Sequence, residues 1–106
     1  MVHKINSNIK NTVLKYKKIL LADDIKPLKF ILFGSQVNGK AKQYSDIDIC
    51  VVSDKFSEDD INEYVRLRSL SRQLDKRIEP HPFRPEDFDP QVNPLASEIN
   101  KTGIAF

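Results

Sequence analysis

The chain has 106 residues, of which 40% are hydrophobic and 30% charged, a balance typical of one soluble globular domain. No apolar stretch approaches the ~18 residues of a transmembrane helix, and the N-terminus lacks the apolar core of a signal peptide. This length predicts a single domain over residues 1–106. A single cysteine, Cys50, excludes an internal disulfide and favours a reducing, cytoplasmic location. The net charge of +2 is too small to indicate nucleic-acid binding by itself.

An amphipathic helix is predicted within residues 1–22. Apolar side chains recur there at spacings of three and four; they belong to Ile5, Ile9, Val13, Tyr16 and Leu20. The same stretch holds five lysines and no acid. Its lysine face is interpreted as a solvated surface, or alternatively as a contact surface for an acidic partner or RNA, whose binding salt would weaken. Asp23-Asp24 and Pro27 then end the helix.

Two apolar strands follow, joined by a segment that contains glycine. Leu28 to Phe33 is predicted as the first strand. The second runs from Asp46 to Val52, where Ile or Val alternates with polar or small residues. A short turn or helix over Gln36 to Ala41 lies between them.

A helix with one buried face is predicted after the second strand. Ser57 fits its N-cap, and the three acids at 58–60 fall in the first turn, where the helix dipole favours them. Because this position explains those acids, they are not counted as ligands. The helix is predicted to end near Asp75 and to bury six residues, Ile61, Tyr64, Val65, Leu67, Leu70 and Leu74.

The last part of the chain predicts two short edge strands and a helix. Residues 76–83, KRIEPHPF, fit an edge strand because Pro80 and Pro82 remove N–H groups from one side only. Pro94 fits the first turn of a short helix over Leu95 to Lys101, with Gly103 as its C-terminal stop. Residues 103–106 could then add a second short edge strand.

Asp46 and Asp48 are chemically the most informative pair. Residues two apart in a strand point to the same face, with Cα atoms roughly 6.6–7 Å apart. Two carboxylates at ~4 Å and an effective dielectric near 20 repel by about 4 kcal/mol. That is a large share of the ~5–15 kcal/mol by which a small domain is stable. The pair therefore predicts a hard bound cation, Mg2+ or Mn2+.

Gly34 and Ser35 predict a binding site for phosphate. A strand that turns at a glycine into a short helix offers free N–H groups and a positive dipole end to an anion. Ser35 adds a hydroxyl, and Gly39 keeps the loop low and flexible. Lys40 and Lys42 either reach a triphosphate or are ordinary loop charges. Acids that bind a cation beside a phosphate cradle point to a metal–nucleotide site.

The motif over residues 34–49, GSQVNGKAKQYSDIDI, resembles the signature of the DNA polymerase β-like nucleotidyltransferase superfamily, most closely its stand-alone minimal nucleotidyltransferase (MNT) domains. The resemblance implies an α+β fold, a small mixed β-sheet with helices packed mainly on one face. It also implies that five residues bind the nucleotide: Gly34, Ser35, Gly39, Lys40 and Ser45. The matching positions are Gly34, Ser35, Gly39, Ser45, Asp46, Ile47, Asp48 and Ile49.

Superfamily members place a third carboxylate, usually aspartate, on the strand after the helix. Glu79 is the acid of that strand, so the resemblance implies that it binds metal and acts in catalysis with Asp46 and Asp48. Its extra methylene could change the metal spacing, or leave a site that binds nucleotide with poor turnover. Alternatively Glu79 forms a surface ion pair with Arg77 or Lys76. His81 on the same face either contacts substrate, or is a histidine satisfied by a neighbouring side chain or simply exposed.

The activity implied by the resemblance is metal-dependent transfer of a nucleoside monophosphate, AMP from ATP or its equivalent from another nucleoside triphosphate, to an acceptor hydroxyl. MNT domains are typically paired with a small helical HEPN-type protein, often as the antitoxin of a toxin–antitoxin pair, so a partner protein is the expected acceptor. One alternative is a catalytically weak antitoxin that acts by binding this partner. Another is a nucleic-acid-binding module that uses the N-terminal lysines.

Overall fold

Helices and short strands alternate along the chain in the computed structural model, which describes residues 5–106. The helices are α1 (Ser7–Ala22), α2 (Ser35–Asn38), α3 (Asp60–Arg72) and α4 (Pro94–Thr102), with a 3-10 turn at Pro85–Asp87. The strands are β1 (Lys29–Phe33), β2 (Ile47–Val52), β3 (Ile78–Phe83) and β4 (Ile104–Ala105). The part of the first predicted helix over residues 1–4 lies outside the described residues.

The four strands form one mixed sheet in the order β3-β2-β1-β4. β1 runs antiparallel to β2 and to β4, whereas β2 and β3 are parallel. The Phe83 carbonyl accepts a hydrogen bond from the Ser53 N–H at the end of β2. Backbone N–H and C=O groups of neighbouring strand residues point to opposite sides in the plane of the sheet. Since those of Phe83 point toward β2, the backbone nitrogens of Pro80 and Pro82 point away from it. The predicted mixed sheet and the edge position of β3 are both confirmed.

The two longer helices cover one face of the sheet and α4 covers the other. Alternate residues of β1 divide accordingly: Phe30 and Leu32 pack with α1 and α3, whereas Ile31 and Phe33 pack with α4. The first face carries the larger core, which includes Val13, Tyr16, Leu20, Ile47, Ile49, Val51, Leu67 and Ile78. The prediction of an α+β fold with helices mainly on one face is confirmed.

α1 buries the face that its sequence predicts. Ile9, Val13, Tyr16 and Leu20 are buried, and the helix ends at Ala22 as expected. The Tyr16 hydroxyl donates a hydrogen bond of 2.8 Å to the Leu67 carbonyl of α3, which ties the two helices together. Within residues 5–106, no helix combines the length and apolar composition that crossing a membrane requires.

The ends of α3 differ from their prediction. Asp59, and not Ser57, is the N-cap, because its carboxylate accepts the N–H of Asn62 at 3.1 Å. Ser57 instead accepts the N–H of Asp59 in the preceding turn. The helix ends at Arg72, before the predicted end near Asp75.

The buried face of α3 is narrower than predicted. Leu67 and Ser71 are its buried residues, whereas Ile61 and Val65 are 77% and 56% exposed. Their predicted burial is therefore wrong. The physical reason is that α3 packs mainly against β3, the edge strand, so only one stripe of the helix meets the core.

The C-terminal segment follows its prediction closely. Pro94 is the first residue of α4, and the Asn93 side chain caps the helix by accepting the N–H groups of Leu95 and Ala96 at 3.0 and 3.3 Å. The helix stops at Gly103, after which β4 pairs with β1. The predicted helix, its end and the short edge strand are confirmed.

Burial of Cys50 in β2 predicts a loss of stability at alkaline pH. Burial raises the pKa of this thiol from 9.0 to about 12. The thiol contribution is therefore complete below about pH 9 and is lost as the pH rises toward about 12, because only the unfolded chain ionises there. We expect the melting temperature to fall over this range in thermal unfolding, and to fall less steeply in Cys50→Ala. Identical slopes for the two proteins would contradict this account.

Candidate active site

Gly34 lies directly against the carboxylate of Asp48. The antiparallel pairing of β1 and β2 sets Phe33 opposite Asp48, so the turn that leaves β1 passes beside that acid. Gly34 has φ 78° and ψ −149°, a conformation that residues with a Cβ rarely adopt. A Cβ at this position would lie 2.6 Å from Asp48 Oδ2. The glycine therefore allows the backbone to approach the carboxylate closely.

The segment after Gly34 places Ser35 at the start of α2. The Gly34 carbonyl accepts the N–H groups of Val37 and Asn38 at 3.0 and 3.2 Å, which closes the turn. The N–H groups of Ser35 and Gln36 come before the first intrahelical hydrogen bond and have no partner within the helix. Two N–H donors and the Ser35 hydroxyl thus follow directly after the glycine that meets Asp48.

The loop after α2 carries the remaining residues predicted to bind nucleotide. Gly39 ends the helix in the left-handed conformation, with φ 80°. The Ser45 hydroxyl accepts the Lys42 N–H at 2.7 Å, so Ser45 shapes the loop. The Lys40 N–H donates to the Asn38 side chain, and Lys40 itself is exposed. Nucleotide contacts of these loop residues remain predictions.

Asp46 is the residue immediately before β2, so the strand begins one position later than predicted. Its carbonyl accepts the Gln36 side-chain amide at 3.2 Å, which joins it to α2. Its side chain is exposed, and within residues 5–106 the carboxylate makes no hydrogen bond or ion pair. Both oxygens of this acid are therefore available to a ligand.

Asp48 is half-buried and its carboxylate meets His81. Asp48 Oδ1 lies 3.0 Å from His81 Nε2, and the two side chains are 24% and 28% exposed. The His81 ring packs edge-to-face on Phe33, with 4.9 Å between centroids. His81 is therefore a histidine satisfied by a neighbouring side chain, one of the alternatives for it, and the acid it meets is one that the sequence predicts to bind metal.

Glu79 is hydrogen-bonded to α3. Its carboxylate accepts the Tyr64 hydroxyl at 2.8 Å and Arg68 at 3.2 Å. The hydrogen bond to Glu79 is the main cause of a raised pKa for Tyr64. The alternative ion pair of Glu79 with Arg77 or Lys76 is not formed. Arg77 pairs with Asp75 at 2.8 Å, and Glu79 pairs with Arg68. Across residues 5–106, no three His, Cys, Asp or Glu side chains gather as a metal site.

Comparison with known proteins places this arrangement in a family. A family model described as "Nucleotidyltransferase domain" matches residues 13–93, well over half of the chain. The chain belongs to the nucleotidyltransferase domain family. The predicted resemblance to a minimal nucleotidyltransferase is thereby confirmed, and the matched segment contains Gly34, Ser35, Asp46, Asp48 and Glu79.

Two proteins of Methanocaldococcus jannaschii resemble this nucleotidyltransferase, and each is named a "putative protein adenylyltransferase". One is 31% identical over 104 residues, an alignment that covers 93% of this chain and 69% of the relative. The other is 41% identical over 64 residues, covering 60% of this chain and 63% of the relative. The family and these relatives together establish the chain as a nucleotidyltransferase enzyme.

A cleft of about 450 Å3 opens beside Ser35 and Gly39 of this nucleotidyltransferase. Two cationic residues, Lys42 and Arg77, contribute to its lining. The hydrogen bond to Asp75 is the main cause of a raised pKa for Arg77. Lys42 rather than Lys40 is thus the loop lysine that lines this space.

Sequence reasoning missed two contacts of the site. The Gln36 amide bridges α2 to the carbonyls of Ser45 and Asp46, at 3.4 and 3.2 Å, and no pattern in the sequence indicates it. The contact between His81 and Asp48 had a partial signal. The two residues share a sheet face once β3 lies parallel to β2, with Asp48 beside Glu79.

Proposed function

We propose that this nucleotidyltransferase transfers AMP from ATP to a hydroxyl group of a partner protein, using Mg2+ or Mn2+ held by Asp46 and Asp48. The observation that carries the proposal is the close approach of Gly34 to the Asp48 carboxylate. A Cβ added at Gly34 would lie 2.6 Å from Asp48 Oδ2. This approach brings the proposed cation ligand, Asp48, next to the turn that is proposed to bind phosphate. The names of the two archaeal relatives support a protein as the acceptor.

The residues present fit a hard divalent cation. Asp46 has an unengaged carboxylate among the described residues, and Asp48 directs Oδ2 toward the Gly34 turn. Mg2+ commonly binds proteins through one or two carboxylates together with substrate phosphates. When bound, the cation would neutralise charge on the phosphates during displacement.

The remaining side chains position the substrate. The Ser35 hydroxyl and the first N–H groups of α2 hold the outer phosphates, while Lys40 and Lys42 offset their charge. The loop shaped by Gly39 and Ser45 borders them. The acceptor hydroxyl releases its proton to water as its oxygen attacks the α-phosphorus, the bond from that phosphorus to the bridging oxygen breaks, and pyrophosphate leaves. Catalysis by this chain is positioning and charge stabilisation.

The proposed partner is a small helical protein of the HEPN type, with this chain as its antitoxin. The exposed side chains of Ile61 and Val65 lie one turn apart on α3 and offer an apolar contact surface. Glu79 completes the acceptor side of the site in this proposal. To do so its carboxylate must exchange its contacts with Tyr64 and Arg68 for substrate or cation.

A second candidate function is an antitoxin that binds its partner with little turnover. The contacts of Glu79 favour it, because Tyr64 and Arg68 already satisfy this carboxylate at 2.8 and 3.2 Å. In that case nucleotide could still bind at Asp46 and Asp48. Transfer would be slow, because Glu79 would keep its hydrogen bonds to Tyr64 and Arg68 of α3.

The two functions differ in whether the chain labels its partner. The chain is incubated with Mg2+, ATP labelled at the α-phosphate and a helical partner protein encoded beside it. We expect label on the partner, reduced about 10²–10³-fold by Asp46→Asn because the cation loses a carboxylate. Asp54→Asn, an exposed acid in the turn after β2, is the matched control and should label normally. Partner binding without labelling by the unmutated chain would favour the second function.

A further inference from the structure

His81 is the side chain that orients Asp48. Its Nε2 lies 3.0 Å from Asp48 Oδ1, whereas Glu79 on the adjacent position of β3 turns to Tyr64 and Arg68. The parallel register sets Glu79 beside Asp48 and His81 two residues further along. The residue closer in register is thus engaged elsewhere, and the more distant one makes the contact.

The imidazole is held from a second direction. Its ring packs on Phe33 at 4.9 Å between centroids and 63° between planes, and Phe33 is itself the Cα partner of Asp48 on β1. Edge-to-face packing of this kind fixes a ring in position. The ring orientation therefore does not depend on the carboxylate alone.

The two oxygens of Asp48 have different surroundings as a result. Oδ1 faces His81, which donates to it through an Nε2–H in the corresponding tautomer. Oδ2 faces the Gly34 turn. Rotation of the carboxylate would break the first contact and withdraw the second oxygen from the turn. A donor at residue 81 thus sets the direction of Oδ2.

We propose that His81 is a positioning residue that holds Asp48 in the orientation needed to bind a divalent cation with nucleotide, a role that the sequence suggested for no residue. The inference rests on the proposed function, in which Asp48 is a cation ligand. Partners that orient a metal-binding side chain typically change metal affinity 10–100-fold when removed. His81 acts through Asp48 and is not assigned a contact with substrate.

Two substitutions separate an N–H donor from a ring that only fills space. His81→Phe keeps an aromatic ring against Phe33 but removes the donor, whereas His81→Gln offers an amide N–H at similar reach. We expect His81→Phe to weaken Mg2+-dependent ATP binding about 10–100-fold in calorimetry, and His81→Gln to recover most of it. The KM for Mg2+·ATP should rise more than kcat falls. Melting temperatures without ligand show that each variant is folded.

Each outcome decides the inference. If His81→Phe binds Mg2+·ATP as tightly as the unmutated chain, His81 does not position Asp48, and the proposed function still stands. If His81→Gln is as weak as His81→Phe, the donor is not the feature that matters, and the inference also fails. If the unmutated chain does not bind Mg2+·ATP, both the inference and the proposed function are overturned.

Discussion

Replacement of Gly34 by alanine is expected to lower both the stability of the domain and its affinity for Mg2+·ATP. The backbone at φ 78° and ψ −149° costs a residue with a Cβ about 1–3 kcal/mol. This corresponds to a melting temperature lower by on the order of ten degrees in a domain of this size. The added Cβ, 2.6 Å from Asp48 Oδ2, also forces that carboxylate away from the turn. We therefore expect affinity to fall about 10–100-fold.

Gly103→Ala provides the matched control for Gly34→Ala. A Cβ at residue 103 would meet the Ile99 carbonyl at 2.6 Å, so this change also destabilises the fold. It lies between α4 and β4, at the sheet edge opposite β3. Calorimetric titration below both melting temperatures should give normal Mg2+·ATP affinity for Gly103→Ala and weak affinity for Gly34→Ala. Equal affinities in the two variants would contradict a special role for Gly34.

Truncation of Leu67 is expected to be the most destabilising change on α3. The Leu67 side chain is fully buried on the inner face of α3. Its replacement by alanine lowers the free energy of unfolding by about 2–5 kcal/mol, through lost apolar burial and the cavity left behind. Ile61→Ala, on the same helix, removes a side chain that is 77% exposed and should change stability by about 0.5 kcal/mol or less. Urea unfolding of both variants measures the difference.

The comparison tests which face of α3 meets the sheet. If both changes destabilise equally, Ile61 is buried in solution and the exposed apolar surface proposed for the partner does not exist. If Ile61→Ala is neutral alone but weakens partner binding, the surface has the proposed use. A neutral result in both measurements would leave α3 out of the partner interface.

The elements with strong local signals could be predicted from the sequence. α4 has a proline at its first turn and a glycine at its end, and β2 has a regular alternation of apolar residues. These signals act within a few residues, so they do not depend on the rest of the fold. The edge position of β3 followed from Pro80 and Pro82 for the same reason.

The buried face of α3 could not be read in this way. Ile61 and Val65 form one apolar pair on the helix, while Leu67, Leu70 and Leu74 form another set. Both fit helical spacing, so the pattern allows either face inward. The choice depends on where the helix crosses the sheet, and that is set by residues far along the chain.

The candidate site likewise contains residues that local sequence could predict and contacts that it could not. Gly34, Ser35, Asp46 and Asp48 lie close in the sequence, and a hairpin of two adjacent strands brings them near each other whatever else the chain does. The surroundings of Glu79 depend instead on the parallel pairing of β3 and on α3. Hence its contacts with α3, and the contact of His81 with Asp48, were not predicted.

Calorimetric titration of ATP into the chain, with Mg2+ and then with a chelator, tests the central claim most directly. The account predicts binding with Mg2+ that is lost with the chelator and weakened by Asp46→Asn, because in the proposed function Asp46 and Asp48 hold the cation that binds the nucleotide phosphates. Equal binding with and without the cation, or no binding in either condition, would contradict it.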